Sequence, residues 1–221
     1  MDIACGTGNY TAALAGQSGQ WHGVDSSATM LRQALGKTQT VQWFLADAAG
    51  LPFGDGHFAG VTCVLAIHHF PSLEPIFREV HRVLDQGRFV IFTAGPEQLR
   101  GYWLNHYFPQ AMSKSIQQMP DLDLVRSALT SAGFSRTDAE TYSVRPDLED
   151  LFLYSGKHKP KMYLSQEVRS GISTFANLAE PVEVARGCKR LAQDIRSGRI
   201  AQVVAQWDSD MGDYQFVIAA K

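Results

Sequence analysis

The chain has 221 residues, of which 45% are hydrophobic and 19% are charged, so it is long enough for one well-filled core and too apolar to be disordered. The formal net charge is -2, and the basic residues are scattered apart from one short run, KHKPK at 157–161. Nucleic acid is therefore not the expected partner. Three widely spaced cysteines give neither a disulfide framework nor a metal-binding pattern. The chain shows no signal peptide and no membrane-spanning apolar run, which predicts a soluble cytoplasmic protein.

Apolar runs alternate with helical patterns up to about residue 93. The runs predicted as strands after the opening residues are WHGVD (21–25), VQWFLAD (41–47), FAGVTCVLAI (58–67) and GRFVIFT (87–93). The segments whose apolar residues recur at helical spacing are NYTAALAGQ (9–17), SATMLRQALG (27–36) and LEPIFREVHRVL (73–84). This alternation predicts a doubly wound α/β fold, with a parallel sheet covered on both faces and a ligand site at the carboxyl ends of its strands.

The second half of the chain departs from this rhythm. Residues 94–120 are rich in aromatic residues and prolines, and are predicted to be an insertion over the ligand-binding edge. Further predicted elements are a helix over 121–132 that Gly133 ends, a strand at 135–144, a second irregular segment at 147–176, a helix over 181–196 and a final strand at 213–221.

These elements predict a single domain over 1–221 built on a seven-stranded, mostly parallel sheet with helices on both faces. Its predicted parts are a cofactor-binding half at 1–93, small cap insertions at 94–120 and 145–180, and closing helices and strands at 121–144 and 181–221.

A glycine-rich turn opens the chain in MDIACGTGNY. Gly6 and Gly8 let the backbone turn sharply and approach a ligand closely, and the next helix offers unpaired N–H groups at its N-terminus. Dinucleotide-binding proteins place a third glycine three residues after the second, where this chain has Thr11. The turn is therefore a weak signal by itself, and as a dinucleotide fingerprint it is incomplete.

Two acidic residues sharpen the interpretation. Asp25 ends the second predicted strand, where a carboxylate can accept both hydroxyls of a ribose. Asp47 ends the third, where its side chain and the next backbone N–H can read the edge of an adenine. Each aspartate alone could instead cap the following helix or turn. Together with the glycine turn, the two predict a nucleoside pocket.

Four segments, taken in order, resemble the class I S-adenosylmethionine-dependent methyltransferases, especially the branch similar to the ubiquinone/menaquinone-biosynthesis C-methyltransferases (methyltransferase type 11). The segments are DIACGTGNYT, GVDSSATML, ADAAGLPFGDGHFAGVTCVLAIHHF and EVHRVLDQGRFVIFT, which together cover roughly residues 1–93. The family's usual LxPGG stands here as LDQGR, which keeps one glycine, Gly87. The resemblance implies in-line transfer of a methyl group from S-adenosylmethionine to an acceptor, with S-adenosylhomocysteine as product. Because the cap regions are aromatic rather than basic, a small-molecule acceptor is favoured.

The resemblance also implies which residues hold the cofactor. The residues expected around its amino-acid and sulfonium part are Asp2, Ala4, Cys5, Gly6, Thr7 and Gly8. The residues expected around the ribose and the adenosine are Asp25, Ser26 and Met30. The residues expected to read the adenine are Asp47 and Ala48, and those expected to close the pocket beside the methyl group are Leu65 and Ala66.

The pair His68 and His69 follows the fourth predicted strand, beside the expected position of the acceptor. One imidazole could take a proton from an acceptor hydroxyl or amine. We favour the alternative, in which both rings cap the strand and pack on the sheet, because methyl transfer often needs only alignment. Candidate acceptor contacts, some of which could equally form the core of a cap helix, are Tyr10, Tyr102, His106, Tyr107 and Tyr154.

Other functions stay open. One is a protein of this fold that binds the cofactor without catalysis and acts as a regulatory or interaction partner. A nicotinamide-dependent oxidoreductase is disfavoured by the missing third glycine, and RNA modification rests on KHKPK alone. The family's members carry a helical segment and several strand residues ahead of the glycine turn. We therefore expect this chain, which opens at Met1, to bind the cofactor more weakly than a longer form.

Overall fold

The computed structural model describes residues 1–17, 19–207 and 209–221. Its strands in chain order are β1 (Asp2–Ile3), β2 (Trp21–Asp25), β3 (Val41–Leu45), β4 (Phe58–Val64), β5 (Leu84–Thr93), β6 (Arg136–Tyr142) and β7 (Tyr214–Ala220). Its α-helices are α1 (Asn9–Ala15), α2 (Ala28–Leu35), α3 (Leu73–Val83), α4 (Pro96–Arg100), α5 (Pro109–Gln118), α6 (Leu122–Ser131), α7 (Gln166–Ser170), α8 (Pro181–Ser197) and α9 (Ile200–Gln206). Across these described ranges, no helix has the length and apolar character that a membrane crossing needs.

The strands form one seven-stranded sheet in the order β3-β2-β1-β4-β5-β7-β6. The pairs β2/β3, β1/β2, β1/β4 and β4/β5 are parallel. Strand β7 runs antiparallel to β6, because the Ser135 N–H donates to Ala220 O at one end while the Asp213 N–H donates to Tyr142 O at the other. The predicted doubly wound, mostly parallel sheet is therefore confirmed.

The chain forms two compact units. The first, called unit 1 below, comprises residues 1–93, 120–140 and 216–221; the second, unit 2, comprises residues 94–119 and 141–215. Each unit has its own buried side chains. In unit 1 they line strands and helices and include Ile3, Val24, Phe77, Phe89 and Ile91, whereas in unit 2 they are mainly aromatic and include Trp103, Tyr107, Phe108, Tyr154 and Tyr163.

Helix α3 shows how the sequence pattern produces the packing of unit 1. Its buried residues, which recur three or four positions apart, are Leu73, Ile76, Phe77, Val80 and Val83. On its opposite side Arg78 pairs with Glu74 in solvent at 3.2 Å. Burial of each large apolar side chain contributes roughly 1.5–3 kcal/mol, whereas an exposed ion pair contributes little. The apolar stripe therefore holds the helix against the sheet.

The structure is helical where the sequence predicted irregular segments. Residues 94–120 contain α4, a 3-10 segment (Trp103–His106) and α5, while residues 147–176 contain a 3-10 segment (Pro160–Leu164) and α7. Pro96 and Pro109, two prolines of the predicted insertion, stand at the starts of α4 and α5. A proline there loses no intrahelical hydrogen bond, and its fixed φ suits the helix.

Candidate functional site

The candidate site lies in unit 1, where the carboxyl ends of four neighbouring parallel strands share one edge of the sheet. Strands β1 and β2 themselves carry Asp2 and Asp25, and the segments that follow β1, β2, β3 and β4 carry the other cofactor residues predicted from the sequence. Because parallel strands end together at this edge, residues far apart in sequence meet there.

The glycine turn after β1 has an unusual backbone. Ala4, Gly6 and Gly8 have φ values of 50°, 55° and 74°, a region that costs a residue with a side chain roughly 1–2 kcal/mol. Ala4 carries this strain next to a ladder contact, since the Cys5 N–H donates to Val24 O at 3.0 Å. Such strained positions concentrate at functional sites.

Gly8 is required by the packing of an indole ring. A Cβ built on Gly8 would lie 2.4 Å from Trp43 Cη2 and 2.9 Å from Ala34 Cβ. The same indole covers Gly23 on β2, where a Cβ would lie 2.4 Å from two ring atoms. The turn therefore packs directly on Trp43. This contact was not predicted, because the strand pattern indicates which face of the sheet Trp43 lies on but not which residues it contacts there.

Asp25 links two segments of the site. Its Oδ2 accepts a hydrogen bond from the Gly6 N–H at 2.8 Å, and its Oδ1 accepts one from the Ser27 N–H at 2.8 Å. A carboxylate offers about four acceptor positions, so two bonds leave capacity for a further donor. Ser27 in turn caps α2, its Oγ accepting from the Met30 N–H at 3.3 Å. Asp25 thus fixes the glycine turn against the start of the α2 segment.

Asp2, by contrast, is enclosed, with a relative exposure of 2%. Its two oxygens accept from the hydroxyls of Thr11 and Thr62, the latter at 2.8 Å. Burial raises its pKa to about 6, although both hydroxyl bonds oppose that shift. Asp2 therefore ties together β1, α1 and β4. Thr11, at the position of the missing third glycine, has a structural role of its own.

Of the residues predicted to border the adenosine or read the adenine, three are exposed and one is buried. Ser26 and Asp47 are exposed, Met30 is 41% exposed and Ala48 is buried. The Asp47 Oδ1 accepts from the Ala49 N–H at 2.9 Å, and its carbonyl accepts from the Gly50 N–H at 3.0 Å. Asp47 therefore shapes a turn, the alternative role considered for it above. Its second carboxylate oxygen, Oδ2, does not take part in the bond to the Ala49 N–H.

Leu65 and Ala66 follow β4 at the same edge. Leu65 has a φ of 53°, unusual for a branched side chain, and its N–H donates to Phe92 O at 2.8 Å. The next residues form a 3-10 turn (Ile67–His69) that brings the rings of His68 and His69 to a centroid separation of 4.0 Å.

Burial lowers the pKa of both imidazoles. The pKa of His68 falls to about 4, with His69 as a second cause, while Asp25 opposes the fall at His69. The His68 Nδ1 is buried without a hydrogen-bond partner among the described residues. His68 is therefore neutral near pH 7, and it has one polar atom that a ligand or water would satisfy.

His68 also gives a prediction about pH. Since its folded pKa of about 4 lies below the unfolded value of 6.5, the unfolded chain takes up the proton first as pH falls. Stability linked to His68 is complete above pH 6.5 and is lost as pH falls toward 4. Between about pH 7 and pH 5 the free energy of unfolding should fall in both proteins. We expect the fall to be about 2 kcal/mol smaller in His68→Gln than in the parent. Urea titrations at the two pH values measure this; equal losses in both proteins would contradict the assignment.

The candidate acceptor residues in unit 2 are mostly engaged with one another. The Tyr102 hydroxyl lies 2.5 Å from that of Tyr163, the Tyr107 hydroxyl donates to Asp194 at 2.9 Å, and the Tyr154 hydroxyl donates to Gln98 O at 2.5 Å. These three candidate tyrosines are at most 2% exposed. In this arrangement they form the core of unit 2, so their contact with an acceptor stays a prediction.

His106 and Tyr10 are placed differently from those tyrosines. The His106 Nε2 lies 3.0 Å from the Arg190 guanidinium in unit 2. Tyr10, in unit 1, is half-buried in the first turn of α1, next to the glycine turn. Of the five candidates, Tyr10 is therefore the one that stands beside the predicted cofactor residues in the same unit.

Unit 2 also contains a small cavity. Its volume is about 30 Å³, and the residues around it include Tyr102, Trp103, Tyr154, Trp207 and the ion pair of Lys157 with Asp213. Such a volume holds one or two water molecules, far less than the several hundred Å³ of a typical small-molecule pocket. In this conformation it does not admit a ring-sized acceptor.

A cation lies beside the glycine turn, although none was predicted from the sequence. The Lys37 ammonium donates to Thr7 Oγ1 at 3.0 Å and to Asn9 Oδ1. Lys37 follows α2 in a loop, where no local pattern distinguishes it from an ordinary surface lysine. It holds side chains on both sides of Gly8.

Comparisons with known proteins match the part of the chain that carries this site. Residues 1–92 match the family described as "Methyltransferase domain". The demethylmenaquinone methyltransferase of Staphylococcus epidermidis is 36% identical over 97 residues, which are 41% of this chain and 40% of that protein. The chain thus matches about two fifths of the length of that curated relative.

The similarity to solved structures extends over the whole chain. A protein of Anabaena variabilis, described as a methyltransferase from an antibiotic biosynthesis pathway, is 33% identical with a TM-score of 0.88, covering 100% of this chain and 89% of that one. The cyclase SpnF has a TM-score of 0.60 at 19% identity, covering 100% and 74%, and shares the fold alone.

The fold is a doubly wound α/β fold, and the residues predicted to bind a nucleoside lie at one edge of its sheet. Together with these similarities, this fold shows that the chain belongs to the class I S-adenosylmethionine-dependent methyltransferases.

Proposed function

We propose that this protein transfers a methyl group from S-adenosylmethionine to a small-molecule acceptor. The observation that carries the proposal is the Asp25 carboxylate, which holds the N–H of Gly6 at 2.8 Å. It thereby brings the ribose-binding residue and the glycine turn of a nucleoside site into contact. When bound, the cofactor supplies an electrophilic methyl group on a sulfonium.

The residues at the sheet edge fit that cofactor. A Cβ built on Gly6 meets no atom within 4 Å, so the backbone there is open to a ligand. Asp25 would accept the ribose hydroxyls with its remaining lone pairs, while Asp47 and the backbone of Ala48 would read the adenine. Leu65 and Ala66 would border the methyl group of the cofactor. Exclusion of water there favours alignment of the methyl group with the acceptor.

The two histidines fit either of two roles at this edge. A neutral His68 or His69 can accept a proton from an acceptor hydroxyl or amine, as burial lowers the pKa of each below 6.5. The packing role requires no proton transfer, and the 4.0 Å separation of the rings supports it. We favour packing, with the histidines excluding water beside Leu65.

A small-molecule acceptor is supported by composition and by similarity. A net charge of -2 gives no general attraction to nucleic acid, and the relative from Staphylococcus epidermidis is named for demethylmenaquinone, itself a small molecule. We propose that the protein acts in the cytoplasm on an acceptor of this size class.

Calorimetric titration with S-adenosylhomocysteine tests the proposal, with NAD as the matched control ligand. We expect saturable binding of S-adenosylhomocysteine and none of NAD. No heat from S-adenosylhomocysteine at millimolar concentration would overturn the proposal, and tighter binding of NAD would establish an oxidoreductase instead. Binding without turnover on a broad acceptor panel would favour the alternative, a cofactor-binding protein without catalysis.

A further inference from the structure

The loop between β3 and β4 carries Asp47 and Ala48 but no regular structure. It runs from residue 46 to residue 57 with turns and bends alone. A loop of this length has no backbone ladder to position it, and such loops are commonly functional. The position of the adenine-reading residues therefore depends on the contacts that the rest of the loop makes.

One guanidinium supplies most of the polar contacts to the far side of this loop. From α3, the Arg82 Nη1 donates to Phe53 O and to Asp55 Oδ1, both at 2.8 Å, and its Nη2 donates to Leu51 O at 3.1 Å. The Arg82 carbonyl also accepts from the Gly56 N–H at 2.9 Å. The rigid fork of the guanidinium thus contacts three separate residues of one loop.

Glu79 completes the arrangement from the same face of α3. Its two oxygens accept from Arg82 Nε and Nη2, both at 2.8 Å, and its Oε2 also accepts from the Leu51 N–H at 2.9 Å. Both peptide groups of Leu51 are therefore held by one ion pair. The Glu79 and Arg82 side chains are 21% and 33% exposed, so water competes less here than at a surface pair.

Leu51 follows directly on the turn that Asp47 forms. The Gly50 N–H donates to Asp47 O at 3.0 Å, which closes residues 47–50 into a compact turn, and the next residue is the one the ion pair holds. Leu51 is also buried, with 5% exposure. A displacement of Leu51 would therefore move Asp47 and Ala48 with it.

We propose that Arg82, oriented by Glu79, is a positioning residue that sets the selectivity of the site for the adenine base. The inference rests on the proposed function, since it assumes that Asp47 and Ala48 read the adenine edge. Arg82 itself contacts no ligand; it acts through Leu51. Loss of the Arg82 side chain should therefore weaken recognition of the adenine base strongly. It should weaken the contacts of Asp25 and the glycine turn with the ligand much less.

The test compares two probes, S-adenosylhomocysteine and S-inosylhomocysteine, by calorimetry. Inosine presents an oxygen and an N–H where adenine presents an amino group and a bare nitrogen, so a correctly placed Asp47 and Ala48 discriminate between them. The dissociation constant of S-inosylhomocysteine divided by that of S-adenosylhomocysteine measures how well the loop positions Asp47 and Ala48. General loss of stability lowers the folded fraction for both probes and leaves this ratio unchanged.

We expect Arg82→Ala to bind S-adenosylhomocysteine roughly tenfold more weakly, because several charge-assisted bonds are lost, and to move the ratio toward one. The matched control is Arg78→Ala on the same helix, which breaks only the exposed pair with Glu74. The control should keep both values within about twofold of the parent. Arg82→Lys keeps the positive charge but lacks the forked guanidinium, and it can be measured even if the alanine variant does not fold. It should also lower the ratio.

The outcomes separate the inference from the proposed function. If the parent protein fails to bind S-adenosylhomocysteine, the proposed function is wrong. If the parent binds and discriminates, but Arg82→Ala and Arg82→Lys keep the parent ratio, the positioning role is wrong and the proposed function stands. A ratio that also falls in Arg78→Ala would equally overturn the specific role of Arg82.

Discussion

Replacement of Gly8 by alanine is expected to lower the free energy of unfolding by about 3 kcal/mol. The new Cβ would overlap Trp43 Cη2 at 2.4 Å and Ala34 Cβ at 2.9 Å, on a backbone with a φ of 74°. Trp43 cannot retreat easily, because the same indole also lies against Gly23. Urea titration of the variant and the parent measures the loss.

Gly6→Ala is the control for this effect. Its φ of 55° gives a similar backbone strain, but its Cβ meets nothing within 4 Å, so about 1 kcal/mol is expected. In a Trp43→Leu background the additional cost of Gly8→Ala should shrink by about 2 kcal/mol, because the overlap is relieved. Equal costs for the two glycine substitutions would show that backbone strain, and not the indole, explains the requirement for glycine.

Asp25→Asn is expected to weaken binding of S-adenosylhomocysteine about 100-fold. The amide presents an NH₂ group where the carboxylate now accepts from the N–H of either Gly6 or Ser27, so a donor faces a donor. The amide also loses acceptor capacity for the ribose hydroxyls. The measurement is calorimetric titration at a temperature where both proteins are folded.

The control for Asp25→Asn is Glu74→Gln, which removes an exposed carboxylate paired with Arg78 at 3.2 Å. It should bind S-adenosylhomocysteine within about twofold of the parent. If Asp25→Asn binds as tightly as Glu74→Gln, Asp25 serves only to hold the glycine turn, and the ribose contact must be sought elsewhere.

The sheet was predictable because its signals are local. Strand β2 matches its prediction, Trp21–Asp25, since a β-branched and aromatic run stands between turn residues. Asp25 was placed at a strand end by the same pattern. The aromatic insertion was harder, because Pro96 suggests a break as readily as a helix start.

The supports of the site were not predictable in the same way. Thr11 reaches Asp2 across β1 and α1, Trp43 lies under Gly8, and Arg82 contacts residues about thirty positions earlier in the chain. These contacts form only when segments distant in sequence pack together, and no periodicity or residue spacing predicts them. The sequence could thus propose the candidate cofactor residues, but it could not say what holds them in place.

A crystal structure of the complex with S-adenosylhomocysteine tests the central claim most directly. It should show the ribose hydroxyls on Asp25, the adenine edge at Asp47 and Ala48, and the amino-acid end against the turn at Gly6. Density for the ligand away from this edge, with Asp25 bonded only to Gly6 and Ser27, would contradict the claim.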